Sequence, residues 1–67
     1  MSPAMRTAVN AAVHDGYVAA EVMRLCASGL EQHDDSTGAL SAFRMLAENI
    51  ERATRELDEA QAAEPFS

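Results

Sequence analysis

The pattern of apolar residues constrains the fold of this chain most strongly, because they recur at the helical period along two long stretches. The first stretch starts at Ser2-Pro3, where serine can cap free backbone amides and proline suits the first helical position. A polar, turn-rich segment, residues 31–38, separates it from the second stretch. Runs of β-branched residues are missing, and one tyrosine and two phenylalanines are the only aromatic residues. The sequence therefore predicts an all-α fold.

We expect the two helices to form an antiparallel hairpin within a single domain, residues 1–67. Helix 1 is predicted over about residues 3–28, the connection over about 29–37, and helix 2 over about 38–64. The predicted end of helix 1 lies between Ala27 and Gly29, because glycine can adopt the left-handed conformation at a helix end. Pro65 is expected to close helix 2.

Each predicted helix has one apolar stripe that should face the other helix. On helix 1 these residues are Met5, Ala8, Val9, Ala12, Val13, Gly16, Ala19, Ala20, Met23, Cys26, Ala27 and Leu30. On helix 2 they are Leu40, Phe43, Leu46, Ala47, Ile50, Ala53, Thr54, Leu57 and Ala60. Gly16 leaves an alternative open, because Asp15-Gly16 is also a turn signal and would split helix 1 into two pieces. A continuous helix is the preferred interpretation, since a glycine in the stripe permits a close approach of the two helices.

Helix 1 carries a second apolar group, Val18, Val22 and Leu25, which Ala11 extends. These residues lie at a different angle around the helix, so a single hairpin cannot cover both groups. Our leading hypothesis is a homodimer with helix 1 at its centre, which would give a four-helix bundle. The alternative is that these side chains are scattered surface hydrophobics, which are common on soluble proteins.

The outer face of helix 2 is charged. Five pairs have the i,i+4 spacing that stabilises a helix by about 0.2–0.5 kcal/mol per pair. They are Arg44–Glu48, Glu48–Arg52, Glu51–Arg55, Arg52–Glu56 and Arg55–Glu59. The same face contains a candidate acidic recognition surface, formed by Glu48, Glu51, Glu56, Asp58 and Glu59. A solvated helix face is the more usual meaning of such a pattern.

Charge and composition limit the possible partners. Five arginines and no lysines oppose eleven carboxylates, for a net charge of −6, which disfavours direct binding to nucleic acid or to anionic lipid. A basic protein surface is the natural complement. No apolar run has the length of a membrane span, and no signal peptide is recognisable, so we expect a cytoplasmic protein.

The sequence offers weak signals for chemistry. His33-Asp34-Asp35, with Glu31 nearby, contains metal-ligand residue types, but a hydrophilic loop that caps the next helix is the preferred explanation. Cys26 has no activating cation beside it along the stripe, so we interpret it as a small core residue. His14 is expected to be solvated. We therefore predict no enzyme activity, no metal and no cofactor.

The best functional interpretation is a small acidic protein–protein interaction module, an adaptor or regulatory subunit that acts by occupying a surface. The alternative is an inhibitor that competes with nucleic acid for a basic surface of its target, as phage-encoded anti-CRISPR proteins do. Net charge and size motivate this alternative. A third hypothesis is a small-ligand site between helices, which Tyr17, Arg24 and His14 would line.

Overall fold

The computed structural model describes residues 1–32 and 37–64, without the side chain of Thr37. It contains two helices, α1 (Pro3–Gln32) and α2 (Thr37–Ala63), packed against each other. The helices are antiparallel, because Asn10 near the start of α1 contacts Gln61 near the end of α2, and Glu31 contacts Arg44. The described residues contain no strand. The predicted all-α helical hairpin is confirmed.

The start of α1 has the predicted cap. The hydroxyl oxygen of Ser2 accepts a hydrogen bond from the backbone amide of Met5 at 3.1 Å, and the carbonyl oxygen of Ser2 accepts one from the amide of Arg6 at 2.9 Å. The first bond satisfies an amide that has no partner within the helix, and the second is the first backbone bond of α1. Pro3 occupies the first helical position, where its missing N–H costs nothing.

In the structure, α1 ends later than predicted. The helix continues through Gly29 to Gln32, so Gly29 is a helical residue and does not terminate the helix. Two interactions with α2 accompany the extension: Leu30 is half-buried, and the carboxylate of Glu31 lies 2.9 Å from the guanidinium of Arg44. Tertiary contacts therefore outweigh the local stop signal. The predicted caps before residue 37, and Pro65, lie outside the described residues.

The residues that face the partner helix follow an alternating spacing of three and four. This is the heptad spacing of coiled coils, and it keeps a narrow row in contact along the whole length of a helix pair. In α1 the row contains Val9, Val13, Gly16, Ala20, Met23, Ala27 and Leu30. In α2 it contains Leu40, Phe43, Ala47, Ile50, Thr54, Leu57 and Gln61. Ala20, Ala27, Ala47 and Thr54 are the buried members, so small side chains form the centre of the interface.

Gly16 lies inside the continuous α1 helix, so the predicted alternative of a split helix is wrong. The close approach of Thr54 explains why a glycine occupies this position. A Cβ atom on residue 16 would overlap Oγ1 of Thr54 and would lie 2.9 Å from its Cγ2 and 3.0 Å from its Cβ. Only glycine leaves room for the threonine at this crossing. The close packing of the helices compensates for the helix propensity that glycine lacks.

The contacting row is narrower than the stripes predicted from the sequence. Several predicted core residues are exposed: Met5, Ala8, Ala12, Cys26, Leu46, Ala53, Leu57 and Ala60. A stripe drawn at the helical period covers nearly half of each helix, whereas a single neighbouring helix covers only its central row. Cys26 is therefore not a core residue, contrary to its predicted role. Leu57 belongs to the contacting row itself, and the other exposed members lie beside the row.

The hairpin is a long, thin rod with Cα extents of 52 × 15 × 11 Å and a radius of gyration of 15.4 Å. A compact domain of the same length has a radius of gyration of about 11 Å. The chain has an accessible surface of 4871 Å², whereas a compact protein of its mass exposes about 4,100 Å². The hairpin alone therefore leaves an unusually large share of its surface in water.

Candidate interaction surfaces

One edge of the helix pair, which we call the charged side, is crossed by polar contacts. Arg24 Nη1 lies 2.5 Å from an oxygen of Glu51, and Arg44 Nη2 lies 2.9 Å from an oxygen of Glu31. Each of these four residues directly follows a member of the contacting row. The residues that follow the row in α1 and α2 therefore face each other along this edge. Both ion pairs are partly solvated, so they orient the helices more than they stabilise them.

The opposite edge, which we call the apolar side, has a different composition. Since the residues that follow the row meet on the charged side, the residues that precede it must lie together on the other side. Six of these residues, all apolar, are Ala12, Ala19 and Cys26 from α1 and Leu46, Ala53 and Ala60 from α2. All except half-buried Ala19 are exposed. The nearest charged residues, Asp15 and Glu56, lie at its margins.

The predicted interface residues of helix 1 form a separate surface, which we call the outer row: Ala11, Val18, Val22 and Leu25. Ala11, Val18 and Leu25 lie on the face of α1 directed away from α2, and Val22 lies between that face and the apolar side. The exposed fractions are 48% for Val18, 47% for Val22 and 66% for Leu25. The hairpin therefore leaves the whole outer row uncovered.

The acidic residues predicted as a recognition surface fall into two groups. Glu51 pairs with Arg24 across the helices and with Arg55 at 3.2 Å within α2. Within residues 1–32 and 37–64, no ion pair involves the other four, Glu48, Glu56, Asp58 and Glu59. Of the five predicted i,i+4 pairs, only Glu51–Arg55 forms. Arg44 contacts Glu31 instead, and Arg52 donates a hydrogen bond to Asn49.

A shallow groove lies on the charged side. It has a volume of about 440 Å³, and its lining residues are Tyr17, Glu21, Arg24, Leu25 and Glu51. Tyr17 and Arg24 were predicted to line a ligand site together with His14. His14 does not line the groove; its ring nitrogen lies 3.5 Å from Asp15, and its side chain is exposed. Because Glu51 already neutralises Arg24, the described lining residues offer no free cation to an anionic ligand.

The other candidate sites receive no support from the described part of the chain. No group of three or more potential metal ligands occurs there, and the predicted cluster His33-Asp34-Asp35 lies outside it. Cys26 is exposed and lies on the apolar side among the other apolar residues of that strip. Neither described helix combines the length and the hydropathy that crossing a lipid bilayer requires.

Comparison of the chain with protein-family models, with curated proteins and with solved structures gives no match. Three surfaces of the hairpin are therefore the basis for a functional hypothesis. They are the outer row, the apolar side and the unpaired carboxylates of α2. The sequence pointed to the first and the third. The sequence analysis assigned the residues of the apolar side to the core. Restricting the predicted core to residues at alternating spacings of three and four would have left them out.

Proposed function

We propose that this protein is an interaction module that binds another protein through the outer row of α1 and acts by occupying that protein's surface. The observation that carries the proposal is the exposure of Val18, Val22 and Leu25, which ranges from 47% to 66%. Their spacing of four and three residues places them along one helical ridge, and Ala11 continues it two turns earlier. A ridge of this kind fits a hydrophobic groove on a partner.

The energetics favour such a role. Each large apolar side chain contributes about 1.5–3 kcal/mol when it moves from water into an apolar contact. The backbone that presents the outer row is already helical, so binding does not have to order it. The buried side chains of the hairpin are small, and no member of the outer row belongs to the contacting row. The outer row is therefore available to a partner.

The double substitution Val18→Asp with Leu25→Asp tests this proposal. We expect the hairpin to keep its helix content, because both side chains lie outside the core, and its affinity for the partner to fall about 100-fold or more. The partner is first identified by affinity capture from the native host, then purified and titrated by calorimetry. Ser41→Asp with Ala62→Asp is the matched control, since both residues are exposed on α2. Equal affinities for the two variants would refute the proposal.

A second function has one observation in its favour. Glu48, Glu56, Asp58 and Glu59 form no ion pair within the described residues, and the chain carries a net charge of −6. These carboxylates are available to a basic surface, such as the nucleic-acid channel of an enzyme. An inhibitor that competes with nucleic acid would use them.

Salt dependence separates the two functions. If carboxylates carry the binding, we expect affinity for the captured partner to fall steeply as ionic strength rises, because salt screens exposed charges. Glu56→Gln with Glu59→Gln would then weaken binding at low salt and reduce the salt dependence. If the outer row carries the binding, both the salt series and this variant leave the affinity nearly unchanged.

A further inference from the structure

We propose that the apolar side is the surface on which a second copy of this chain docks, so that two hairpins form a four-helix bundle while the outer row stays open. This inference goes beyond the proposed function, since it assigns a different occupant to a different surface. A four-helix bundle needs a face to which both helices of each hairpin contribute. The apolar side meets this condition, whereas the outer row belongs to α1 alone.

The surface areas agree with a pair of hairpins. Two separate hairpins expose twice the 4871 Å² of one chain. A compact protein of twice the mass exposes about 6,800 Å². Pairing to ordinary compactness would therefore bury about 2,900 Å² in total, which lies in the range of permanent homodimer interfaces. About half of this area is the excess that two separate hairpins expose over two compact proteins of the same mass.

The charge distribution also favours the apolar side as the contact between two copies. Each chain has a net charge of −6, so two copies repel each other through most of their surfaces. The strip formed by Ala12, Ala19, Cys26, Leu46, Ala53 and Ala60 is apolar, and Asp15 and Glu56 are the charged residues at its margins. Two copies can meet along this strip with the carboxylates of Asp15 and Glu56 at the solvated rim of the contact, where they need no partner cation. The charged side offers no such possibility, because Arg24, Glu51, Glu31 and Arg44 occupy it.

The shape of the apolar side suits a symmetric contact. Its α1 edge is built of small residues, whereas its α2 edge includes Leu46, with Leu57 beside it in the contacting row; these leucines are 46% and 38% exposed. In a symmetric dimer the same surface appears twice. Leucines of one hairpin can then fill the space above the alanines of the other, which is how large and small side chains alternate in packed cores.

The mass of the protein in solution tests the inference. We expect the wild-type chain to have twice its monomer mass of 7.2 kDa, by light scattering or sedimentation equilibrium. Leu46→Asp with Ala53→Asp should give the monomer mass, and Val18→Asp with Leu25→Asp should remain dimeric. A monomeric wild type, or a dimer that only the outer-row variant dissociates, would overturn the inference. Neither outcome bears on partner binding by the outer row, which the titration measures separately.

The thiol of Cys26 provides a second measurement that does not depend on whether the aspartate variant folds. The thiol is exposed in the hairpin and lies on the apolar side, so pairing should protect it from alkylation. Because only free hairpins react, the alkylation rate should fall about tenfold when roughly nine tenths of the chains are paired. Val18→Cys in a Cys26→Ser background is the control, and its rate should not change with protein concentration. A Cys26 rate independent of concentration, or protection of the thiol introduced by Val18→Cys, would contradict the proposed docking surface.

Discussion

Replacing Gly16 with alanine is expected to destabilise the hairpin, although alanine is the better helix former. The new Cβ atom would overlap Oγ1 of Thr54, which is buried and donates a hydrogen bond to the carbonyl oxygen of Ile50 at 2.6 Å. Relieving the overlap requires the helices to separate or this bond to break. Overpacking of this kind costs about 1–3 kcal/mol, whereas the gain in helix propensity is about 1 kcal/mol. We expect a lower melting temperature by circular dichroism, by several degrees for each kcal/mol lost.

Gly29 provides the matched control for this experiment. It is also a helical glycine, but nothing lies within 4 Å of a Cβ atom built on it. Gly29→Ala should therefore stabilise the hairpin by about 0.5–1 kcal/mol. Thr54→Ala in the Gly16→Ala background removes Oγ1 and Cγ2 and should restore part of the lost stability. A Gly16→Ala protein as stable as the Gly29→Ala protein would show that the helices do not approach each other closely at this crossing.

Replacing Ala47 with leucine should have the larger effect on stability. Ala47 is 1% exposed and lies in the middle of the contacting row of α2. Three additional carbon atoms have no space there, so the helices must separate along much of their length. The cost is at least at the upper end of the ~1–3 kcal/mol that overpacking usually requires. We expect much of the cooperative thermal transition to be lost, because a chain this small has only several kcal/mol of total stability.

The control for Ala47→Leu is Ala62→Leu, at an exposed position of the same helix. Leucine and alanine have similar helix propensities, so this substitution should leave the melting temperature nearly unchanged. Chemical denaturation of both variants, monitored by circular dichroism, gives the comparison. A stable, cooperative Ala47→Leu protein would mean that the small residues of the contacting row do not set the distance between the helices.

Apolar residues that belong to a single predicted stripe lie on different surfaces in the structure. Ala47 and Ala53 are both alanines of α2 in the same predicted stripe, yet Ala47 is buried against α1 and Ala53 is exposed on the apolar side. The first should respond to substitution through stability. The second should respond through self-association, and Val18 through partner binding. These different readouts allow the three surfaces to be tested independently.

Local signals in the chain were enough to predict the two helices and the start of α1. Ser2 and Pro3 define that start, and the periodic apolar residues identify both helices, because capping and periodicity are local properties. The same periodicity indicated the outer row, since Val18, Val22 and Leu25 lie at a different angle from the residues expected to contact helix 2. The periodicity therefore showed that helix 1 has more apolar surface than helix 2 alone can cover.

Which apolar residues are buried, and where α1 ends, depends instead on how the two helices meet. The width of the contact is set by the curvature of one neighbouring helix, so Cys26 and Ala53 fall outside it although they lie within the predicted stripe. The requirement for glycine at residue 16 depends on the position of Thr54, which is 38 residues away in the chain. Likewise, Arg44 pairs with Glu31 of the other helix and not with Glu48 of its own helix. No local pattern contains that information, because each of these contacts joins residues that are distant in the chain.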